Sequence, residues 1–314
     1  HGNEIPMLPN LIRRGEDARC VPRQLTPFAE SVIPARDLID NARYLALGGM
    51  ANLQTKRGCP FQCLYCTYSH VNGPSLRLRS PVEVVNELTA MVEETKLDEV
   101  FFVDDIFNWP HDHAMSICEE IATRGLQVRW TCFATPHGFT RDLAWAMKRA
   151  GCRGVEFGTD TAAPSMLRAL DKPFLREEIR CASRVCREAG LPDAHYLIFG
   201  GPGETPETMG ETFACFDELR PRAVLAFLGI RIYPKTPLHA AAISDGVIGE
   251  EENLLLPRFY LSPQIGAETL TAAVGAHAKP RHSWIVPGLG IRSDPAILAA
   301  LRRSGRRGPL WDLL

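Results

Sequence analysis

The sequence predicts an α/β protein folded as a partial (β/α)6 barrel of the TIM-like kind. Apolar segments of strand length alternate along the chain with amphipathic segments of helical period, a pattern typical of parallel strands joined by helices. Six such units lie between residues 49 and 240, fewer than a closed eight-stranded barrel needs. Glycines and polar residues follow the predicted strands, at the edge where parallel barrels bind their ligands.

Each predicted strand is a short apolar segment that ends in a turn signal. The six strands are predicted at residues 51–59, 99–107, 128–136, 154–161, 193–205 and 223–234. The intervening helices are predicted at residues 80–96, 112–125, 140–151, 176–190 and 206–219. The first helix has the clearest start, because Ser80 and Glu83 can form a capping box and Pro81 suits the first turn.

Three regions follow from this pattern. Residues 1–48 are rich in Pro and Arg with little periodicity, and we expect them to form an N-terminal linker segment. Residues 49–240 are predicted to form the barrel. Residues 241–314 carry weaker turn signals. We predict that they form a C-terminal extension that helps to close the substrate side of the barrel.

Composition excludes several classes of protein. Charged residues make up 23% of the chain and the formal net charge is -2, which does not indicate a nucleic-acid binder. No apolar segment approaches the length of a membrane span, and no secretory signal is visible. We therefore expect a cytoplasmic location, with most of the ten cysteines reduced.

Three of those cysteines, Cys59, Cys63 and Cys66, lie close together with the spacing C-x3-C-x2-C. A structural zinc site needs a fourth ligand, for which only Cys20 or a nearby histidine such as His70 is available. Plant-type ferredoxins use a first spacing one residue longer and a distant fourth cysteine. The better interpretation is an iron–sulfur cluster held by three thiolates, with one exposed iron free to bind a substrate or cofactor.

This motif, placed after the first strand and with the aromatic Tyr65 before the third cysteine, resembles the signature of radical S-adenosylmethionine (SAM) enzymes. The resemblance extends over residues 50–240. It implies that the three cysteines hold a [4Fe-4S] cluster and that the exposed iron binds the methionyl group of SAM. It also implies one-electron cleavage of SAM to a 5'-deoxyadenosyl radical, with an electron donor such as flavodoxin or ferredoxin.

The resemblance assigns further residues to the SAM site. Asp104 and Asp105 end the second strand, where the family carries Gly-Gly-Glu to hold the methionyl amine. We favour Asp104 for this role, with helix capping by one of the two acids as the alternative.

The later strands supply the remaining candidates that the resemblance implies. They are Glu156, Gly158 and Thr159 near the ribose and methionyl groups, Gly200 and Gly201 near the adenine, and Arg231 facing a carboxylate. The glycine turn is also explained as a strand-to-helix turn with Thr205 as N-cap, and Arg231 as an ordinary surface arginine.

Three residues are candidates for catalysis because they lie near the carboxyl ends of strands. Cys132 could donate a hydrogen atom to a product radical, or it could be a thiol packed in the core. His195 and Tyr196 carry the same ambiguity, and one of them must face the barrel cavity because side chains alternate along a strand.

Segments 5–15, 34–45 and 233–238 are similar to members of the family that carry a cobalamin-binding domain upstream. The likeness implies that cobalamin is possible through a domain missing from this chain. It favours cobalamin-linked methyl transfer to a small metabolite or natural-product intermediate. The alternatives are cobalamin-independent rearrangement, cyclisation or other radical chemistry, and, in a different class, a non-catalytic iron–sulfur or zinc binding module.

Overall fold

The computed structural model describes residues 33–305 and 307–313. Most of the predicted linker and Cys20 lie outside these described residues. Every described cysteine is free of disulfides. Among the described residues, none of the helices combines the length and the apolar character that crossing a bilayer requires.

The core of the fold is a seven-stranded sheet in the order β1-β4-β5-β6-β7-β8-β11, and every neighbouring pair in it is parallel. The strands are β1 (Ala51–Leu53), β2 (Lys56–Arg57), β3 (Arg77–Leu78), β4 (Glu99–Phe102), β5 (Arg129–Ala134), β6 (Cys152–Asp160), β7 (Asp193–Phe199), β8 (Ala223–Leu228), β9 (Ile230–Arg231), β10 (Phe259–Tyr260) and β11 (Trp284–Ile285). Strands β2 and β3 pair separately, as do β9 and β10. The predicted partial α/β barrel is confirmed.

Helices connect the strands and cover one face of the sheet. They are α1 (Asn41–Ala46), α2 (Tyr68–Val71), α3 (Pro81–Glu93), α4 (His111–Thr123), α5 (Arg141–Arg149), α6 (Pro164–Ala169), α7 (Arg176–Ala189), α8 (Pro206–Leu219), α9 (Pro237–Ser244), α10 (Ala267–Ala278), α11 (Pro295–Arg303) and α12 (Leu310–Leu313). The capping box of Ser80 and Glu83 is confirmed, and Gly190 ends α7 in the left-handed conformation.

Alternate side chains of each strand face opposite sides of the sheet. On β5, Trp130 and Cys132 pack with the apolar faces of α3, α4 and α5 in the main core. Residues of the opposite parity, such as Phe133, therefore face the barrel lumen. This parity decides which predicted site residues can reach a bound cofactor.

Two features of the barrel differ from the prediction. The predicted sixth strand divides at Gly229, whose φ of +80° turns the backbone between β8 and β9. A seventh sheet strand, β11, comes from the C-terminal extension, where two residues are too few to show a strand pattern in the sequence.

The extension reaches both ends of the barrel, and its role in closing the substrate side stays a prediction. Ser262 N donates to Gly200 O at 2.9 Å, so this part lies at the carboxyl ends of the strands. The final segment lies at the amino ends, because Arg307 pairs with Asp98 just before β4. There Trp311 fills the space beside Gly154, where an added Cβ would lie 2.5 Å from the indole ring.

Candidate functional site

The three cysteines lie on the loop that leaves β1 at the carboxyl edge of the sheet. Gly58 enters the loop with a φ of +97°, and a Cβ there would lie 2.2 Å from the carbonyl oxygen of Ser75. The next amide, Cys59 N, donates to Gly73 O at 3.1 Å, and Cys66 N donates to Cys63 O at 3.0 Å. The backbone therefore fixes the positions of all three cysteines.

The thiols fit an iron–sulfur cluster by the chemistry of the donor set. Burial raises the pKa of all three thiols, that of Cys59 to about 11. The charges of Cys63 and Cys66 raise the pKa of Cys59 further, and the charge of Cys63 raises that of Cys66. Burial alone disfavours the thiolate form of these three neighbouring sulfur donors. Binding to a polynuclear metal cluster would stabilise them as thiolates. In the described part of the chain, no three His, Cys, Asp or Glu side chains converge closely enough to hold a single metal ion.

The segment between the second and third cysteines is anchored to the far side of the barrel. Leu64 N donates to Leu170 O at 3.1 Å, and Leu64 O accepts from Leu238 N at 3.0 Å. Tyr65 lies beside them, and its hydroxyl donates to Asp160 Oδ2 at 2.5 Å. Because Asp160 is the last residue of β6, this hydrogen bond connects the candidate cofactor residue Tyr65 to that strand.

Asp160 and Lys172 are site residues that sequence reasoning missed. Lys172 Nζ lies 2.7 Å from Asp160 Oδ2, and both side chains are buried. The lysine is close enough to Cys63 and Cys66 for its charge to oppose part of the rise in pKa that burial causes in each thiol. Asp160 has a φ of +64°, which is uncommon outside glycine, but neither residue belongs to a motif that sequence alone would single out.

Asp104 differs from its expected role. Its Oδ1 accepts from Thr55 N at 2.7 Å, and its Oδ2 accepts from Thr55 Oγ1 at 2.5 Å and from Lys56 Nζ at 3.0 Å. The residue is buried, with 1% of its surface exposed. Both oxygens are therefore engaged in holding the start of the cysteine loop.

Asp105 is the acid of this pair that remains accessible at the carboxyl edge. It accepts hydrogen bonds from Asn72 Nδ2, and its charge raises the pKa of Cys59 and Cys66, which places it beside the thiols. Burial raises the pKa of Asp105 itself. A cationic partner such as an amine would offset this cost.

The candidates on β6 divide between the two faces of the sheet. Glu156 and Gly158 have the parity of the lumen, and a Cβ added to Gly158 would meet nothing within 4 Å. Thr159 faces the helices instead and is fully buried. Its Oγ1 lies 2.7 Å from His195 Nδ1, so Thr159 does not reach the lumen.

His195 faces the helix layer and Tyr196 faces the lumen. His195 is fully buried between the rings of Phe157 and Phe216, and its Nε2 lies 2.9 Å from Ser183 Oγ and 3.2 Å from Asp193 Oδ2. This arrangement is a satisfied core network, which corrects the expectation of a catalytic His195 in the cavity.

Tyr196 lies at the centre of a hydrogen-bonded group in the lumen. Its hydroxyl donates to Glu156 Oε2 at 2.7 Å, and Trp311 Nε1 donates to Glu156 Oε1 at 2.9 Å. Burial raises the pKa of Glu156. Two strands and the C-terminal helix thus meet at one carboxyl group.

Cys132 is fully buried in the core between the sheet and the helices. Burial raises the pKa of its thiol well above the ordinary value. The packed alternative describes this position, and the expectation that Cys132 faces the cavity is corrected.

The glycine turn after β7 binds a side chain of the protein. Gly200 N and Gly201 N both donate to Glu204 Oε2, the second at 3.3 Å. Burial raises the pKa of Glu204 to about 7, which the two amides partly oppose. Thr205 N-caps α8 as predicted.

Arg231 lies on β9 beside the carboxyl edge. Its guanidinium carbon lies 4.7 Å from the centre of the Tyr233 ring, a cation–π contact. This contact positions the arginine, and no carboxylate pairs with it among the described residues.

Comparison with known proteins is consistent with this geometry. The model of the Radical SAM superfamily matches residues 53–216. An uncharacterized methyltransferase of Pyrococcus horikoshii is 31% identical over 229 residues, covering 72% of this chain and 50% of the relative. A tryptophan 2-C-methyltransferase of Streptomyces laurentii is 29% identical over 210 residues, covering 62% of this chain and 35% of the relative.

Among solved structures, the radical SAM methyltransferase TsrM of Kitasatospora setae superposes with a TM-score of 0.75 at 23% identity. The match covers 87% of this chain and 61% of TsrM, and it supports the fold. The chain thus spans half or less of the two curated relatives. The family match over the cysteine loop and the first strand–helix units shows that the chain belongs to the radical SAM superfamily.

Proposed function

We propose that the chain binds a [4Fe-4S] cluster through Cys59, Cys63 and Cys66, cleaves SAM there, and serves cobalamin-linked methyl transfer to a small molecule. The observation that carries the proposal is the fixed loop that presents three thiols at the carboxyl edge of a parallel barrel. Membership of the superfamily implies the cluster and SAM. When bound, the cluster supplies the electron that breaks the sulfonium bond of SAM.

The residues of the chain would divide the remaining work. Asp105 is the accessible carboxyl group beside the thiols, and it is suited to accept hydrogen bonds from the methionyl amine. Gly158 leaves open space on the lumen face of β6, which lets a cofactor approach the backbone. Two buried ion pairs stabilise the cysteine loop, Lys56 with Asp104 and Lys172 with Asp160.

Methyl transfer is supported by the relatives. The two curated relatives are named as methyltransferases, and the TsrM structure is described with cobalamin and a [4Fe-4S] cluster bound.

Anaerobic reconstitution tests the proposal in two stages. With iron and sulfide, the chain should take up about four of each, and with a reductant and SAM it should release 5'-deoxyadenosine. The second stage adds cobalamin and the part of a full-length relative that this chain does not cover. Formation of S-adenosylhomocysteine would then support methyl transfer. Release of 5'-deoxyadenosine alone under both conditions would favour cobalamin-independent radical chemistry. Uptake of one zinc and no iron would overturn the cluster assignment.

A further inference from the structure

Lys172 places a buried positive charge beside the cysteine loop. It lies on the turn after α6, where its backbone amide donates to Leu167 O at 2.9 Å. Its side chain is 6% exposed. The ammonium nitrogen Nζ lies 2.7 Å from Asp160 Oδ2 and 5.4 Å from the centre of the Phe174 ring. The backbone, the carboxylate and the ring therefore hold the charged group in one position.

Two contacts connect this turn to the part of the cysteine loop between the second and third thiols. Leu64 N donates to Leu170 O at 3.1 Å. The Tyr65 hydroxyl donates to Asp160 Oδ2 at 2.5 Å, and the same oxygen accepts from Lys172 Nζ. The lysine is therefore linked to this part of the loop through the backbone and through a shared carboxylate.

The backbone at the end of β6 is shaped to present Asp160 to both groups. The register of β6 with β7 shifts between Gly158 and Asp160, and Asp160 has a φ of +64°. A local irregularity of this kind re-aims a side chain at some cost in conformational energy, and such irregularities are common beside functional sites. Here the re-aimed carboxylate accepts from Tyr65 and Lys172.

The ion pair presents its positive end to the thiols. Burial is the main cause of the raised pKa of Cys63, the charge of Lys172 opposes this rise, and Asp160 adds to it by less than Lys172 removes. At Cys66, Lys172 again opposes the effect of burial, and the charge of Asp105 adds to that effect by less. The carboxylate therefore cancels only part of the field of the ammonium group at these sulfur atoms.

The same contacts keep the amine of Lys172 charged. Burial lowers the pKa of this amine, but Asp160 and the charges of Cys63 and Cys66 together raise it by more, so the net shift is upward. The positive charge is thus a permanent feature of the site.

A fixed cation near an iron–sulfur cluster favours the reduced form of the cluster. One-electron reduction adds one negative charge, and a positive charge in a medium of low dielectric constant stabilises it. Nearby carboxylates have the opposite effect, and Asp105 and Asp160 are the acids beside these thiols. The balance between the lysine and the acids therefore sets how readily an electron is accepted.

We propose that Lys172 raises the reduction potential of the cluster held by the three loop cysteines, and that Asp160 positions the lysine for this role. The inference rests on the proposed function, which supplies the cluster, and it adds a positioning pair to that site. The electron comes from an external one-electron donor of low potential. No bond forms or breaks at Lys172, which keeps its proton throughout.

Redox potentiometry with detection by electron paramagnetic resonance tests the inference on the reconstituted chain without SAM. Lys172→Gln removes the charge and keeps a donor for Asp160. It should lower the equilibrium constant for reduction about tenfold, a fall of about 59 mV for one electron. Asp160→Asn removes the opposing charge and should raise the potential. Lys172→Arg keeps the positive charge and should keep the native potential.

Shifts of opposite sign distinguish an electrostatic role from a structural one. A loosened loop would admit water to the cluster in either variant and would move both potentials in the same direction. Lys96→Gln is the control, since Lys96 is exposed just before β4, at the opposite edge of the sheet from the cysteine loop. Unchanged potentials, or shifts of the same sign, in Lys172→Gln and Asp160→Asn would overturn the inference.

The double variant Asp160→Asn with Lys172→Met decides the matter where a single variant does not hold its cluster. It removes both charges, and the lysine has the larger effect at the thiols, so its potential should lie below the native value. A potential at or above the native value would reject the role of Lys172.

Iron content and release of 5'-deoxyadenosine are measured separately, which distinguishes this inference from the proposed function. A native chain that takes up no cluster would refute the proposed function and the inference with it. A native chain that takes up the cluster and cleaves SAM, with a potential that neither charge affects, would refute the inference alone. The expected shifts in a chain that transfers no methyl group would support the inference and reject methyl transfer.

Discussion

Lys56 Nζ lies 3.0 Å from Asp104 Oδ2, and both side chains are almost completely excluded from solvent. Lys56 Nζ also donates to the carbonyl oxygen of Phe107 at 2.9 Å, so the ammonium ties the cysteine loop to the segment after β4. A buried pair of this kind is strongly destabilised when only one partner is removed.

The two neighbouring acids should therefore respond differently to substitution. Asp104→Asn should lower the free energy of unfolding by about 3–5 kcal/mol, since it leaves the Lys56 charge without its partner. Asp105→Asn should instead weaken SAM binding about tenfold to hundredfold, the effect of losing a charge-assisted hydrogen bond. Denaturant titration and anaerobic calorimetry measure the two effects. Weaker SAM binding in a stable Asp104→Asn protein, with Asp105→Asn unaffected, would reverse this assignment.

The three loop cysteines should be equally necessary. Cys59→Ala, Cys63→Ala or Cys66→Ala should each abolish the brown absorbance of the cluster and the cleavage of SAM, because two thiolates are too few to hold it. Cys186→Ala is the control, since that thiol is buried in α7 away from the loop. Visible spectra and iron content after reconstitution report the result. A full, active cluster in Cys63→Ala would exclude the assignment.

Lys172 should stabilise the loop through Asp160. Lys172→Met should cost about 3–5 kcal/mol of unfolding free energy, because it leaves the Asp160 carboxylate buried without a cation. Tyr65→Phe removes one hydrogen bond to the same carboxylate and should cost about 1.5–3 kcal/mol. The double change Asp160→Asn with Lys172→Met should recover much of the loss. The free energy lost in the double variant is compared with the sum of the losses in Asp160→Asn and Lys172→Met. If the two are equal, the two groups do not act as a pair.

Glu204 should make stability depend on pH. Its folded pKa of about 7 is raised above the ordinary carboxyl value, so the folded state binds the proton more tightly than the unfolded chain. The resulting contribution is present below about pH 4.5 and is lost as the pH rises to about 7, by roughly 3 kcal/mol.

Glu204→Gln should remove this dependence, because the amide oxygen can still accept from the glycine amides without titrating. Denaturant titration at pH 5 and pH 8 gives the change in unfolding free energy between these pH values for each protein. The difference in that change between the native protein and the variant is the contribution of Glu204. Glu207→Gln, on the exposed first turn of α8, is the matched control and should leave the pH profile unchanged. A native-like loss of stability between these pH values in Glu204→Gln would assign the dependence to another group.

Cobalamin should be retained weakly, if at all, by this chain alone. The strands of the described residues all belong to the parallel barrel sheet or to two short antiparallel ribbons, and the likeness to cobalamin-linked relatives implies a separate cobalamin domain. Mixing the chain anaerobically with methylcobalamin, desalting it and recording the visible spectrum measures retention. Stoichiometric retention would show that the barrel and its extension form a complete site.

The sequence predicted the repeated units of the fold well, because each carries local signals. Ser80, Thr140 and Thr205 mark helix starts by hydrogen bonds within one turn, and Gly190 marks an end by its left-handed conformation. The position of β11 depends on contacts with β8 about sixty residues earlier in the chain, and no local pattern records such a pairing.

The candidate site was predicted in its motif and only partly in its surroundings. Spacing alone identified the cysteines, because a loop places near neighbours together. The acid pair was misread because Asp104 and Asp105 are chemically identical in sequence, and only the hydrogen bonds to Thr55 and Lys56 distinguish them. Lys172 was missed because its partner Asp160 is on another element.

The contact between Trp311 and Glu156 has a consequence for the order of synthesis. A chain emerging from the ribosome exposes the cysteine loop long before its last helix, since domains fold as their amino-terminal parts appear. The barrel floor is completed only when residue 311 arrives and its indole reaches the β6 carboxyl group. Cluster delivery during translation would therefore meet a barrel that is still open at its amino-terminal end.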